Sequence, residues 1–165
     1  MDTVCLDGKK LSAKIKEDIR KEITEKGYNP GLAVVIVGND PSSNLYVSNK
    51  EKACAAVGIN SFLLRKTEEC TEEELLTTIQ TLNNNPAIDG IIVQLPLPKH
   101  INAKRIIDAI SPNKDVDCLG QFRFGEVFYG DPTIFPCTPS GIMALIHEYR
   151  IPLEGKRCTV IGRSN

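Results

Sequence analysis

Several features that would point directly to a function are missing from this sequence. Only two histidines occur, and none of the six cysteines forms a Cys-x-x-Cys pair or shares zinc-ligand spacing with a histidine. No apolar run approaches the roughly 18 residues of a membrane span. The polar segment 1–10 also lacks the apolar centre of a signal peptide. We therefore expect no metal site, no membrane partner and a cytoplasmic protein with reduced thiols.

An excess of either charge is missing as well. Lys and Arg together number 20 and Asp and Glu together number 21, which gives a net charge of −1. A protein that binds nucleic-acid phosphates normally has a basic excess, so we expect no nucleic-acid partner. The 165 residues are enough for one domain, or for one domain and the start of a second, without a disulfide or metal.

The cysteines and histidines that are present have ordinary structural explanations. Cys5, Cys54 and Cys158 lie among apolar residues and are predicted to be small core residues. His100 and His147 are predicted to be surface or packing residues.

Helix-like and strand-like segments alternate along the chain. Apolar residues repeat every four positions from Leu11 to Ile23, which predicts a helix that Gly27 ends. The segment GLAVVIVG at 31–38 is typical of a strand buried on both faces of a parallel sheet. Further helices are predicted over 43–57, 71–82, 102–110 and 139–149, and further strands over 59–64, 88–94 and 155–161.

This alternation predicts an α/β fold, a three-layer parallel sheet with right-handed crossovers. Residues 111–131 are expected to be mostly irregular, with a hairpin allowed around 124–129. Because ligands bind beyond the carboxyl ends of parallel strands, the loops 38–50, 65–70 and 94–100 are the candidate site.

Tyr46 and Lys50 lie four residues apart at the start of a predicted helix, so they share one face. The ring can stack on a planar ligand, and the lysine can hold an anion, orient water or act as a base. From spacing alone, a solvated lysine and a tyrosine covering the sheet edge are the favoured interpretation. A short-chain dehydrogenase Tyr-x-x-x-Lys pair is disfavoured, because it would follow a Gly-rich nucleotide-binding segment that is absent here.

Three other polar positions follow predicted strands or helices. Gln94 ends the third strand and could reach into the cleft or tie down the loop after it. Asp117 could accept hydrogen bonds from a heterocycle or could cap its own loop. Gly162, Arg163 and Ser164 follow an apolar strand, as at the start of a dinucleotide-binding crevice, although one glycine is not a fingerprint.

Taken together, the chain resembles the N-terminal part of the bifunctional methylenetetrahydrofolate dehydrogenase/methenyltetrahydrofolate cyclohydrolase family. Five segments match in the family's order and extend over nearly the whole chain. They are GNDPSSNLYVSNKEKACAAVGI at 38–59, DGIIVQLPLPKHIN at 89–102, SPNKDVDCLG at 111–120, PCTPSGI at 136–142 and GKRCTVIGRSN at 155–165.

The resemblance implies roles for individual residues. Tyr46 would stack on the folate, Lys50 would be the main catalytic residue and Gln94 would support Lys50. Asp117 would hydrogen-bond the pterin, and Leu95 and Pro96 would also contact substrate. Residues 162–164 would begin the NADP site, no metal would be needed, and the family implies a homodimer that serves purine biosynthesis.

The implied chemistry has two steps. Hydride passes from 5,10-methylene-tetrahydrofolate to NADP, and water then adds to the methenyl cation to give 10-formyl-tetrahydrofolate. A cationic substrate in a partly closed cleft disfavours a second positive charge, so Lys50 can be neutral often enough to activate water. The alternatives are a folate-binding fragment without turnover and an unrelated Rossmann-type oxidoreductase.

The resemblance also divides the chain. A folate-binding catalytic domain is expected over 1–138, a connecting helix and linker over 139–154, and the first strand of a Rossmann domain over 155–165. On this view the chain is a truncation or an unusually short member, 155–165 is disordered or borrows a sheet edge, and the 139–149 helix exposes Ile142, Leu145 and Ile146. The family usually has Gly where this chain has Cys118, which would be strained if the backbone there has a positive φ.

Overall fold

The computed structural model describes residues 4–162, apart from the side chains of Ser42 and Asn44. Within these residues a three-stranded parallel sheet is flanked by helices. The strands are β1 (Gly31–Val37), β2 (Asn60–Lys66) and β3 (Gly90–Val93), in the order β2-β1-β3. The helices are α1 (Gly8–Lys26), α2 (Pro41–Val57), α3 (Glu72–Asn84), α4 (Ala103–Asp108), α5 (Gln121–Tyr129) and α6 (Cys137–Glu148), with a 3₁₀ turn at Pro112–Lys114. The predicted α/β parallel fold is confirmed.

The central strand is the one with the longest apolar run. β1 pairs with β2 from Gly31↔Asn60 to Val37↔Lys66 and with β3 from Leu32↔Gly90 to Val35↔Val93. Because both edges of β1 are paired and both of its faces are covered, alternation with polar residues is absent from its sequence.

Alternate residues of the strands build two apolar clusters. One face of the sheet, the α3/α4 face, packs against Leu75 and Ile79 of α3 and Ile106 of α4. The opposite face, the α2 face, packs against Val47 of α2. Strand residues therefore divide by period two: Ala33, Val35, Val37, Ile91 and Val93 face α3 and α4, whereas Val34, Ile36 and Ile92 face α2.

The helix ends follow the predicted signals. The capping box of α3 is formed, with Thr71 Oγ1 accepting from the Glu74 amide and Glu74 accepting from the Thr71 amide. Gly27 ends α1 in the left-handed region, at φ 65°. Helix α2 begins at Pro41, two residues before the prediction, because Asp40 caps it by accepting from the Ser43 amide.

The segment 111–131 departs from its prediction. Residues 121–129 form a helix rather than irregular chain or a hairpin. Distant contacts decide this: the Gln121 amide donates to Asp108 Oδ1 at 2.9 Å, and Arg123 Nε donates to the Pro112 carbonyl at 2.8 Å. Arg123 also pairs with Glu126 one turn later.

The end of the chain departs from its prediction too. Helix α6 begins at Cys137, two residues before the predicted start, so Pro139 is its third residue. Proline is tolerated there because the amides of the first helical turn have no hydrogen-bond partner inside the helix. No strand forms over 155–162, since none of the described strands lies beside it to complete a ladder, and Ile161 is 97% exposed. Ile142 is exposed as expected, whereas Leu145 and Ile146 are half-buried.

The predicted cysteine environments are correct in one case of three. Cys54 is buried, but Cys5 and Cys158 are exposed, because the segments around them pack against little else. Cys70 and Cys118 are the other buried thiols. His100 and His147 are exposed, as predicted.

Candidate functional site

A lysine and an amide meet at the carboxyl end of β3. Gln94 lies two residues after Ile92, so strand alternation directs it to the α2 face. Lys50 lies one helical turn after Val47, on the side of α2 that packs on the sheet. Lys50 Nζ donates to Gln94 Oε1 at 3.2 Å. The predicted proximity of the two residues is therefore present.

Gln94 also ties down the loop that follows it. Its Nε2 donates to the Leu95 carbonyl at 2.9 Å, and its backbone amide donates to the Val35 carbonyl of β1 at 2.8 Å. The Leu95–Pro96 peptide bond in this loop is cis. The two ends of one amide thus contact Lys50 and the loop. The roles expected of Gln94 stay predictions.

Asp117 lies in the electrostatic field of the same lysine. The residue is half-buried, and burial raises the pKa of its carboxyl group; the nearby Asp115 raises it further, whereas Lys50 lowers it. An ammonium, an amide and a carboxyl group that favours its protonated form more than usual are therefore close together. Such perturbed groups cluster at functional sites.

Cys137 is a member of this cluster that the sequence reasoning missed. It is the first residue of α6, and its Sγ donates to the Val116 carbonyl, with a donor–acceptor distance of 3.8 Å. Cys137 is exposed as a residue, but partial desolvation of its thiol raises its pKa; Asp117 raises the pKa further and Lys50 lowers it. Its only signal in the sequence was its position directly before a helix-starting Thr-Pro, in a segment distant from Lys50.

The remaining substrate candidates lie on α2 and in the loop after β3. Tyr46 is one turn before Lys50 on α2 and is 63% exposed, so its ring is available for stacking. Leu95 lines a groove of about 610 Å³ together with Leu119 and Phe124. Pro96 lines a second groove, of about 370 Å³, at the end of β1.

Of the predicted cofactor residues, only Gly162 lies within the described part of the chain. Gly162 is exposed with open space around it, and Arg163 and Ser164 lie outside the described residues. Across 4–162, no group of three or more His, Cys, Asp and Glu side chains is arranged to hold a metal ion. No helix in that range is both long and apolar enough to cross a membrane.

The fold and the cluster together define a class. A parallel sheet covered on both faces, with ionisable side chains at its carboxyl edge, is typical of α/β enzymes that bind a small molecule there.

Comparison with known families narrows this class to one. Residues 6–117 match the family described as "Tetrahydrofolate dehydrogenase/cyclohydrolase, catalytic domain", and residues 136–165 match the corresponding "NAD(P)-binding domain". The chain belongs to the tetrahydrofolate dehydrogenase/cyclohydrolase family. This membership excludes the alternative of an unrelated Rossmann-type oxidoreductase.

Curated relatives are bacterial and archaeal proteins named "Bifunctional protein FolD". That of Ruminiclostridium cellulolyticum is 48% identical over 168 residues, which cover 100% of this chain and 59% of the relative. That of Acetivibrio thermocellus is 49% identical, with the same coverage. The chain thus spans about 59% of the length of these relatives.

Solved structures give the same result. The bifunctional FolD methylenetetrahydrofolate dehydrogenase/cyclohydrolase of Campylobacter jejuni has a TM-score of 0.92 and 45% identity, covering 96% of this chain and 58% of that protein. The Trypanosoma brucei enzyme, solved as a complex with NADP cofactor and inhibitor, has a TM-score of 0.89 and 34% identity, covering 94% and 55%.

Proposed function

We propose that this chain carries the folate site of a bifunctional methylenetetrahydrofolate dehydrogenase/methenyltetrahydrofolate cyclohydrolase. The whole protein would oxidise 5,10-methylene-tetrahydrofolate with NADP and hydrolyse the methenyl product to 10-formyl-tetrahydrofolate in one-carbon metabolism. The observation that carries this proposal is the Lys50–Gln94 hydrogen bond at the carboxyl edge of the sheet.

In the hydrolytic step Lys50 is the proposed general base. Neutral Lys50 accepts a proton from water as the water oxygen bonds to the methenyl carbon and the C=N π electrons return to the ring nitrogen; the resulting ammonium donates to Gln94 Oε1. The bond from this carbon to N5 then breaks as the formyl C=O forms, and the hydroxyl proton passes to N5. Gln94 cannot rotate freely, because its other end is bonded to the Leu95 carbonyl. This restraint supports a fixed direction for the lysine and hence for the attacking water.

Substrate binding is proposed to involve the groups around the lysine. Asp117 would accept hydrogen bonds from the N–H-rich pterin edge, a role that suits its ionised carboxylate. Burial, which raises the pKa of Asp117, opposes that ionised form, and Lys50, which lowers the pKa, favours it. The exposed Tyr46 ring would stack on the folate, with Leu95 and Pro96 as apolar contacts.

For the cofactor we propose NADP, in keeping with the T. brucei complex, which contains it. Residues 155–162 do not form the strand and glycine turn on which a dinucleotide rests, so an NADP cradle is not built within the described residues. The hydrolytic step, unlike hydride transfer, uses only groups that these residues bring together.

The same family membership supports the finer proposals. These are a catalytic domain over 1–138, a connecting helix and linker over 139–154 and the start of a Rossmann cofactor domain over 155–165. They also include a cytoplasmic homodimer that supplies purine biosynthesis.

The experiment that tests the function is hydrolysis of methenyl-tetrahydrofolate by this chain, followed by the loss of methenyl absorbance. Lys50→Met should lower the rate by about 10²- to 10⁴-fold, the range of general-base catalysis. Lys52→Met is the matched control, since Lys52 is exposed two residues further along α2, and it should retain the wild-type rate.

Two results would contradict the proposal. A folded Lys50→Met variant with an undiminished rate removes the base from Lys50. A wild-type chain that binds the substrate without hydrolysing it supports the second candidate, a folate-binding module without turnover.

A further inference from the structure

Asp115 is a buried carboxylate that the proposed chemistry does not use. It is only 3% exposed, and its Oδ2 accepts a hydrogen bond from the Gly120 amide at 2.8 Å. Its backbone forms a parallel bridge with Ile91 of β3. A charged residue is rarely buried without a specific partner, and the Gly120 amide is such a partner for Asp115.

The Asp115–Gly120 bond closes a tight turn. A Cβ on Gly120 would lie 2.8 Å from Asp115 Oδ2, so no side chain fits there without breaking the bond. Cys118 is fully buried in the left-handed region, at φ 57°. The turn 115–120 therefore stores backbone strain and has little freedom once it is closed.

The start of the turn is fixed from the sheet side as well. Val116 packs over Gly90 so closely that a Cβ on Gly90 would lie 2.9 Å from Val116 Cγ1. Val116 also belongs to the apolar cluster of the α2 face. Asp117 is thus the residue held between an anchored Val116 and a strained Cys118.

We propose that Asp115 is a positioning residue whose buried carboxylate closes the turn 115–120 and thereby holds Asp117 against Lys50 and Cys137. The proposal deepens the proposed function, because it treats the Lys50–Asp117 cluster as the folate site. A substitution at Asp115 should therefore change the cluster without touching substrate.

Two effects of Asp115 can be separated. Its hydrogen bond sets the geometry of the turn, and its negative charge contributes to the raised pKa of Asp117. The other groups that face Asp117 are Lys50 from α2, which opposes that shift, and the Cys137 thiol from α6. Asp115→Asn keeps an acceptor of the same shape and removes the charge, whereas Asp115→Ala removes both.

The test combines amide hydrogen exchange at Gly120 with a carbon-13 NMR titration of the Asp117 carboxyl group. In Asp115→Asn the Gly120 amide should stay protected and the pKa of Asp117 should fall. In Asp115→Ala exchange at Gly120 should accelerate on the order of tenfold or more, and hydrolysis of methenyl-tetrahydrofolate should fall by a similar factor. Recovery of the rate by the Asn variant separates positioning from simple loss of stability.

Asp108 provides a matched control. Its Oδ1 accepts from the Gln121 amide at 2.9 Å, a bond of the same kind just outside the turn. Asp108→Ala should expose that amide and leave the Asp117 titration unchanged.

An Asp115→Ala variant with native Gly120 protection and an unchanged Asp117 titration overturns the proposal. Should the Ala variant not fold, Gly120→Ala breaks the same bond from its other side and keeps the Asp115 charge. An unchanged Asp117 titration in that folded variant overturns the proposal equally. Neither NMR measurement requires activity, so a wild-type chain without hydrolysis would contradict the proposed function while the positioning of Asp117 is still decided.

Discussion

The two faces of the sheet are built from the same three strands and differ in what lies at their carboxyl ends. The α3/α4 face carries the larger apolar cluster, which includes Ala33 and Val93 and the side chains of α3 and α4 packed on them. The α2 face has a smaller apolar cluster, to which Ile92 belongs. Beyond Ile92, at the carboxyl end of β3, lie the polar side chains of Gln94 and Lys50. Because the side chains of a strand point alternately to its two faces, neighbouring residues at the end of β3 face the α3/α4 core on one side and the polar site on the other. Core and site can therefore be perturbed separately.

The largest effect is expected in the core of the α3/α4 face. Ile79 is fully buried, so Ile79→Ala should lower the free energy of unfolding by about 2–5 kcal/mol through lost burial and a cavity. Urea denaturation measures this loss. Ile142→Ala, at a position that is 55% exposed, should change stability by only about 0.5 kcal/mol or less. Equal losses of unfolding free energy in the two variants would mean that a buried position on the α3/α4 face contributes no more to stability than an exposed one.

The second effect is expected at the polar end of the α2 face. Gln94→Glu places a carboxylate against Lys50, which favours the ammonium and opposes its role as a base. The pH of half-maximal methenyl-tetrahydrofolate hydrolysis should rise by about one unit, lowering the rate at neutral pH roughly tenfold. Gln80→Glu, exposed on α3, is the control and should leave the profile in place. An unchanged pH profile of hydrolysis in Gln94→Glu would contradict an electrostatic effect of residue 94 on Lys50.

The smallest effect concerns strain in the turn beside Asp117. Both Cys118→Ala and Cys118→Gly remove the buried thiol, but only glycine relieves the positive φ. The Gly variant should therefore be more stable than the Ala variant by about 1 kcal/mol in thermal or urea unfolding.

Ala109 gives the opposite expectation. It lies at the end of α4 with φ −80°, so Ala109→Gly should be destabilising by up to about 1 kcal/mol. If Cys118→Gly were also less stable than Cys118→Ala, the backbone strain assigned to the turn beside Asp117 would be absent.

Local signals in the sequence predicted the parts of the fold that local physics decides. The apolar run of β1 predicted the central strand, and Thr71 with Glu74 predicted the start of α3. The loop after β3 was a candidate site because parallel strands end together, and this brought Lys50 and Gln94 into consideration. Their catalytic roles are still predictions.

The parts that were missed depend on distant partners. Helix α5 is selected over a hairpin by the contacts of Gln121 with Asp108 and of Arg123 with Pro112. Cys137 reaches Asp117 only because α6 begins beside Val116. No spacing rule connects these residues, since the folded chain alone brings them together. The expected strand over 155–161 failed for a related reason, as a strand exists only when another pairs with it.

The two-ended Gln94 amide has a consequence for measurement. Its oxygen lies against Lys50 and its nitrogen against the Leu95 carbonyl, so a single side chain reports on both the proposed base and the loop. In ¹H–¹⁵N spectra of the ¹⁵N-enriched chain, the two cross-peaks of the Gln94 side-chain amide would respond both to proton movement at the lysine and to displacement of the loop. The chain thus contains its own spectroscopic probe of the site, with no reporter group attached to Lys50 or to the loop.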